Sequence, residues 1–181
     1  MNGNQIAPVF LENYNIAWKD QYEEERKKIV ELIGECIVDI QHIGSTAISG
    51  SIAKPEIDIL IGVKDIKNVP MEVFDRLKKI EYYYYPHFEK FEPERRYFRK
   101  SRGIVPFVHI HMVEINSDFF KERIIFRDYL RQHPEVVQEY NNLKQSLVDK
   151  YKGDRGPYSD EKLAFVNKII KRALMESRKP Q

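Results

Sequence analysis

A carboxylate inside a strongly apolar run is the feature that most constrains how this chain can fold. Asp58 lies within the run Ile57–Ile61, whose other members are isoleucine and leucine. A run of this kind is typical of a central strand that is covered on both faces. A charged side chain is costly to bury there unless it is paired or holds a metal ion. We therefore predict that Asp58 is a functional carboxylate, and the structural alternative is a salt bridge to Lys54 or Arg96.

A second acid and an upstream turn extend this prediction. Glu56 precedes Asp58 by two residues, so both carboxylates share one face if the segment is a strand. Two neighbouring carboxylates repel each other, and a divalent cation between them relieves the repulsion. Gly44 and Ser45 end the preceding apolar run, and a Gly-Ser turn offers N–H groups and a hydroxyl to a phosphate. The arrangement suits metal-assisted phosphoryl or nucleotidyl transfer. The alternatives are an ordinary turn and a solvent-facing Glu56.

The pattern of apolar residues predicts the order of strands and helices along the chain. Helices are expected from near Trp18 to near Gly34, and from Asn68, Ser117 or Asp118, Pro134 and Ser159 onwards. Strands are expected at Cys36–Ile43, Ile57–Val63, Glu81–Tyr85, Tyr97–Lys100 and Ile104–Ile115. Strands with interleaved helices, followed by helices alone, indicate an α+β architecture.

The motif and its spacing resemble a known group of proteins. Gly-Ser, about a dozen residues, and then an acidic pair resembles the signature of the nucleotidyltransferase superfamily, which has the polymerase-beta-like fold. Longer segments resemble the GrpB family within it, and the resemblance extends from about Phe10 to Ala173. The segments are His42–Gly50, Ala53–Leu60, Arg96–Lys100 and Phe126–Pro134, with Trp18, Tyr140, Leu143 and Lys144.

The resemblance implies a fold and two functions. The fold is α+β, with a nucleotidyltransferase-like mixed β-sheet, flanking helices and a helical C-terminal third. The implied activity is metal-assisted transfer of a nucleotidyl group from an NTP to a small molecule or protein. The GrpB family has no well-defined reaction, and a similar domain is fused to dephospho-CoA kinase in some bacteria. The alternative is therefore a non-catalytic nucleotide- or coenzyme-binding module related to coenzyme A metabolism.

Phosphate-binding residues are predicted around the turn and on a later strand. Ser45 and the backbone from Gly44 to Thr46 would hold the phosphates of a nucleotide. Lys54 lies close enough along the chain to neutralise Asp58 or a phosphate, although an exposed loop lysine is the alternative. Arg96 is a further donor to phosphates, with a solvated strand edge as the alternative.

Two histidines replace the carboxylate that the superfamily commonly places on a later strand. His109 and His111 alternate along Phe107–Val113, so both face one side of a strand. We predict that they lie beside Asp58, with Glu56, Asp58 and His111 as metal ligands and either histidine as a general base. The cofactor is a divalent cation, Mg or Mn with Zn as an option, and imidazole ligands favour Mn or Zn over Mg. Hydrogen-bonded structural histidines are the alternative.

Composition restricts the domain organisation, the partners and the location. The length of 181 residues predicts a single domain over 1–181, with an α/β core at about 10–116 and C-terminal helices at about 117–175 packed on it. The 30 basic and 28 acidic residues give no basic excess, so we expect a phosphate-bearing small molecule as ligand and no nucleic acid. The absence of an 18-residue apolar stretch predicts no membrane span.

Cys36, the one cysteine, excludes an internal disulfide and fits the cytoplasm. No feature assigns an oligomeric state. The tyrosines of Tyr82–Tyr85 leave a protein-interaction surface as a third function.

Overall fold

The computed structural model describes residues 9–103, 105–152 and 154–177. Within them, one five-stranded sheet is flanked by helices, and three helices make up the C-terminal part. Ile104, the predicted first residue of a strand, lies outside the described residues. No helix in these ranges combines the length and the apolar character that spanning a bilayer requires. The α+β prediction is confirmed.

The strands and helices follow in the order that the sequence predicts. The strands are β1 (Asp39–Ile43), β2 (Ile57–Val63), β3 (Tyr83–Tyr84), β4 (Arg96–Arg102) and β5 (Val105–Glu114). The helices are α1 (Ala17–Ile33), α2 (Met71–Lys79), α3 (Asp118–Gln132), α4 (Pro134–Tyr151) and α5 (Arg155–Glu176).

Several predicted boundaries differ from the structure, and three of these differences have a clear local cause. β1 begins at Asp39 because Gly34–Cys36 form a 3₁₀ turn after α1. β3 is shorter than predicted because Glu81 has a φ of 69°, which breaks extended backbone. α5 begins before Ser159 because Asp154 caps the helix, with its carboxylate accepting from the backbone N–H of Gly156.

The strand order β1-β2-β5-β4-β3 brings the predicted site residues together. β2 and β5 are parallel, and the other neighbouring strands are antiparallel. In the β2–β5 pairing, Asp58 lies opposite His109 and Leu60 lies opposite His111. Opposed residues point to the same side of a sheet, so Asp58 and both histidines occupy one face.

The two faces of the sheet are covered by different helices. The face that carries Ile57, Ile59 and Ile61 packs against Trp18 and Ile29 of α1 and against side chains of α2. Burial of each such aliphatic side chain contributes about 1.5–3 kcal/mol, which makes this layer the main core. The opposite face packs in part against Phe120 and its neighbours on α3. Asp58, His109 and His111 lie on this second face, beside the C-terminal helices.

Candidate functional site

Gly44 and Asp58 are in direct contact, so the turn and the carboxylate form one site. Gly44 has a φ of 73° and a Cβ at this position would overlap Asp58 Oδ2 and lie 3.1 Å from Asp58 Cγ. Both the backbone conformation and the space therefore require glycine here. The antiparallel register of β1 and β2 produces the contact, because Ile43 lies opposite Asp58 and Gly44 follows it. The Asp58 side chain remains 28% exposed, so a ligand can reach it.

Both histidines lie beside the carboxylate, as predicted. His109 Nδ1 lies 3.2 Å from Asp58 Oδ1, and His111 Nε2 lies 3.5 Å from the same oxygen. Arg95 Nη1 donates to His111 Nδ1 over 3.0 Å. Since arginine only donates, His111 Nδ1 must accept, and its proton is on Nε2, which faces Asp58. The hydrogen bonds thus define an Arg95–His111–Asp58 chain with a single tautomer of His111.

Burial and hydrogen bonding set the charges of this group. Burial raises the pKa of the Asp58 carboxyl, but hydrogen bonds and charge from His109 and His111 outweigh it and hold the pKa well below its usual range. Burial lowers the pKa of His111 to about 4, despite the opposing attraction of Asp58. At neutral pH, Asp58 is therefore a carboxylate and His111 is a neutral imidazole.

Glu56, the second predicted acid, forms a salt bridge with Lys54. It precedes the first residue of β2, and its Oε2 lies 2.9 Å from Lys54 Nζ. Glu56 is buried and Lys54 is half-buried, so this ion pair is largely removed from water. The structural alternative for Asp58 is also wrong, because Lys54 pairs with Glu56 and Asp58 contacts histidines. The two acids thus have different partners: Lys54 for Glu56, and the two histidines for Asp58.

The Thr46 side chain is already hydrogen-bonded, which leaves its backbone for the predicted phosphate contact, and Arg96 lies away from the site. The buried Thr46 hydroxyl donates to the Glu56 carbonyl over 3.2 Å and lies 3.1 Å from His42 Nε2. Arg96 lies opposite Met112 in the sheet, on the face away from Asp58. Its guanidinium contacts Glu89 and the Pro93 carbonyl. The alternation of β4 therefore removes Arg96 from the site.

Ser45 keeps its predicted place and gains a partner that the sequence did not identify. Its hydroxyl donates to Tyr140 Oη over 3.3 Å. Tyr140 lies on α4, and its ring stacks on Phe165 of α5 at a centroid distance of 5.4 Å. The turn that carries Ser45 is thus attached to the C-terminal helices. The helical spacing of Tyr140 predicts a packed residue, and no local signal predicts its contact with the turn.

Three cationic side chains near Asp58 were also missed. Arg95 lies just before β4, with its guanidinium carbon 4.9 Å from the Tyr97 ring centroid. Arg123 on α3 and Lys162 on α5 interact electrostatically with each other, and Asp58 attracts Lys162. Burial lowers the pKa of Lys162, and the attraction of Asp58 partly opposes this shift. The site is therefore a cleft between one sheet face and the C-terminal helices, with cations on its helical wall.

The metal prediction meets one restriction in the structure. No group of three or more His, Cys, Asp or Glu side chains within residues 9–103, 105–152 and 154–177 is arranged to hold a metal ion. His111 does not suit the predicted ligand role, because its Nδ1 accepts from Arg95 and its Nε2 carries the proton. Asp58 is the predicted ligand whose oxygens face the cleft.

Comparisons with known proteins agree with the resemblance of the sequence to the GrpB family. The sequence profile of the GrpB protein family matches residues 8–172. The glutamate-rich protein GrpB of Alkalihalophilus pseudofirmus is 38% identical over 174 residues, which cover 94% of this chain and 98% of that protein. The UPF0157 protein YqkA of Bacillus subtilis is 39% identical over 135 residues, and the match covers 75% of this chain and 38% of YqkA.

A solved structure shows the same architecture. The crystal structure of the conserved protein GrpB from Enterococcus faecalis superposes with a TM-score of 0.83 at 31% identity. The superposition covers 94% of this chain and 100% of that one. Since the family profile spans most of the sequence and the fold agrees over the same length, this chain belongs to the GrpB family.

Proposed function

We propose that the protein transfers a nucleotidyl group from an NTP to a small-molecule or protein acceptor. The contact between Gly44 and Asp58 is the observation that supports this proposal most directly. It joins a turn suited to phosphate with a solvent-reachable carboxylate, and metal-assisted transfer needs both at one place. Membership of the polymerase-beta-like superfamily is part of the proposal. Its signature is a Gly-Ser turn followed by an acidic pair, and Gly44 and Asp58 belong to the two halves of that signature.

Asp58 and Ser45 have separate roles in this proposal. The Asp58 carboxylate would hold one divalent cation, Mg or Mn, with phosphate oxygens and water as the remaining ligands. The cation would neutralise the phosphates and make the α-phosphorus more electrophilic. Ser45 would turn its one O–H from Tyr140 Oη to a phosphate oxygen, and Tyr140 would then donate its own O–H to Ser45 Oγ.

His109 is the better candidate for the general base that removes the proton of the acceptor. Its Nδ1 donates to the Asp58 carboxylate, which leaves the lone pair on Nε2. That Nε2 is buried and has no hydrogen-bond partner among the described residues. His111 lacks such a nitrogen, because Arg95 and Asp58 occupy both of its ring positions.

A non-catalytic nucleotide- or coenzyme-binding module, related to coenzyme A metabolism, is the second candidate. It is favoured by the salt bridge between Glu56 and Lys54, because Lys54 competes with a cation for the second acid. Transfer chemistry that uses two metal ions needs more carboxylates than Asp58 supplies. A module would bind the same phosphate-bearing ligand in the same cleft without turnover.

Pyrophosphate release separates the two candidates. The protein is incubated with each NTP, Mg²⁺ or Mn²⁺ and a metabolite extract, and released pyrophosphate and NTP binding are both measured. Transfer predicts release that is lost in Asp58→Asn and kept in Asp75→Asn, an exposed acid on α2. NTP binding without release in the wild type supports the module. Absence of both NTP binding and release contradicts both candidates.

A further inference from the structure

An aromatic ring places Arg123 beside the Asp58 cluster, which consists of Asp58, His109, His111 and Arg95. The Phe119 ring lies 5.9 Å from the His111 ring between centroids, and the two planes are 29° apart. The guanidinium carbon of Arg123 lies 4.6 Å from the Phe119 centroid. Arg95 contacts the same ring at 5.5 Å. Phe119 therefore holds two guanidinium groups next to the imidazole that contacts Asp58.

Lys162 approaches the same cleft from α5. It lies one turn after the buried Tyr158 and one turn before Phe165 and Val166, so it belongs to the packed face of the helix. Phe165 stacks on Tyr140, whose hydroxyl accepts from Ser45. This chain of contacts places the lysine near the turn that is proposed to hold phosphates.

Neither cation has a carboxylate partner of its own. Arg123 and Lys162 form no salt bridge within the part of the chain that the structure describes, and both are half-buried. Lys162 is attracted by Asp58 and also by Glu56, which is itself paired with Lys54. Two half-buried positive charges therefore lie near carboxylates that already have closer partners, which are the histidines for Asp58 and Lys54 for Glu56. Such an excess of positive charge in a cleft fits a ligand with several negative charges.

We propose that Arg123 and Lys162 bind the terminal phosphates of a nucleoside triphosphate, and that the protein thereby discriminates triphosphates from monophosphates. The inference rests on the proposed function for the identity of the ligand. It assigns to the C-terminal helices a part of the binding site that the Gly44–Ser45 turn does not supply. Charge-assisted hydrogen bonds from both helices would close the cleft over the phosphate chain.

Inorganic tripolyphosphate tests this site without turnover. Its binding is measured by calorimetry in metal-free buffer and compared with that of orthophosphate. We expect tripolyphosphate to bind at least about tenfold more tightly, and Arg123→Gln or Lys162→Gln to weaken it about tenfold or more each. Lys121→Gln on α3 and Lys168→Gln on α5 are exposed controls that remove the same charge and leave binding unchanged.

Two further variants keep the test decisive. Lys162→Arg keeps the charge and should restore most of the affinity that Lys162→Gln loses, even if the glutamine variant folds poorly. Asp58→Asn should bind metal-free tripolyphosphate more tightly than the wild type, because it removes a negative charge beside the proposed phosphate site. If Arg123 and Lys162 only neutralise Asp58, the same variant leaves tripolyphosphate binding unchanged, and the inference is overturned.

Failure of this inference and failure of the proposed function give different results. Tripolyphosphate binding that depends on Arg123 and Lys162, without pyrophosphate release from any NTP, supports the inference and removes nucleotidyl transfer. Pyrophosphate release with tripolyphosphate binding unaffected in both glutamine variants supports transfer and overturns the inference. Absence of tripolyphosphate binding to the wild type also overturns it.

Discussion

Two carboxylates lie on opposite faces of the sheet, Glu25 buried and Asp58 partly exposed, and their partners differ in kind. Glu25 on α1 accepts from Tyr82 Oη at 2.8 Å and from Lys100 Nζ at 3.0 Å, and Lys28 lies 3.0 Å away. Asp58 on the other face contacts two histidines. The hydrogen-bonding capacity of Glu25 is therefore filled by the protein, with a cation included.

The comparison contrasts a structural charge, Glu25, with Asp58, which is proposed to bind a ligand. Burial raises the pKa of Glu25, but hydrogen bonds from Tyr82, Lys28 and Lys100 lower it further. The Asp58 cluster instead leaves polar atoms without partners: among the described residues, His109 Nε2 and Arg95 Nε are buried and unpaired. Unpaired buried polar atoms cost stability, so their concentration beside Asp58 indicates a surface prepared for a ligand.

The largest expected effect comes from neutralising the two carboxylates. Glu25→Gln leaves Lys100 buried without its counter-charge, and we expect a loss of about 3–5 kcal/mol in the free energy of unfolding. Asp58→Asn should cost about 1 kcal/mol or less, because the amide oxygen can still accept from His109. Urea denaturation of both variants measures the difference. Equal losses would show that Asp58 is as structural as Glu25.

Gly44→Ala should have the next largest effect. The new Cβ meets Asp58 and the φ of 73° is strained for alanine, so we expect a loss of about 3 kcal/mol. Gly103→Ala is the matched control, since Gly103 has a φ of 62° and nothing within 4 Å of the added Cβ. A similar loss in both variants would mean that the Asp58 side chain moves away from the new Cβ at little cost, which contradicts a preformed site. In an Asp58→Ala background, the Gly44→Ala penalty should shrink.

Acidification should weaken the protein through His111 on the Asp58 face and His42 on the α1 face before Glu25 titrates. His111 has a pKa of about 4 in the folded protein and His42 a similar one, both through burial, against about 6.5 in the unfolded chain. Between these values the unfolded state binds more protons, so stability present above pH 6.5 is lost as pH falls towards 4.

The expected slope is about 1 kcal/mol of unfolding free energy per pH unit for each of these histidines. Urea denaturation between pH 7 and pH 4 measures it. His111→Gln should reduce the slope and leave the contribution of His42. The folded pKa of Glu25 is lowered, so its stabilisation is present above the unfolded pKa of a glutamate, near pH 4. Glu25 therefore adds to the loss of stability only below that pH. A slope that His111→Gln leaves unchanged would contradict the assigned neutral imidazole.

The smallest expected effect is the choice of cation. With oxygen ligands from Asp58, phosphates and water, Mg²⁺ and Mn²⁺ should raise the melting temperature in the presence of NTP by similar amounts, about a few degrees. Asp58→Asn should abolish this increase, and Asp75→Asn should keep it. Stabilisation by Mn²⁺ or Zn²⁺ alone, lost in His111→Gln, would instead support imidazole ligation and the preference that the sequence predicts.

Much of the fold and the centre of the site could be predicted because their signals are local. The apolar run around Asp58 and the alternation of His109 and His111 depend only on strand periodicity. The spacing between Gly44 and Asp58 is also local, since β1 and β2 are neighbours in the chain and pair directly. The prediction for Arg96 failed because alternation gives two faces and does not say which one carries Asp58.

The sequence by itself determined the family, the order of the elements and the carboxylate with its turn and two histidines. Only the tertiary structure decided which charges reach Asp58. Arg123 and Lys162 lie on helices whose periodicity predicts packing, and helix docking through Phe119 and Phe165 brings them to the cleft. Long-range electrostatic neighbours depend on how helices pack against the sheet, and no local pattern of residues encodes that distance.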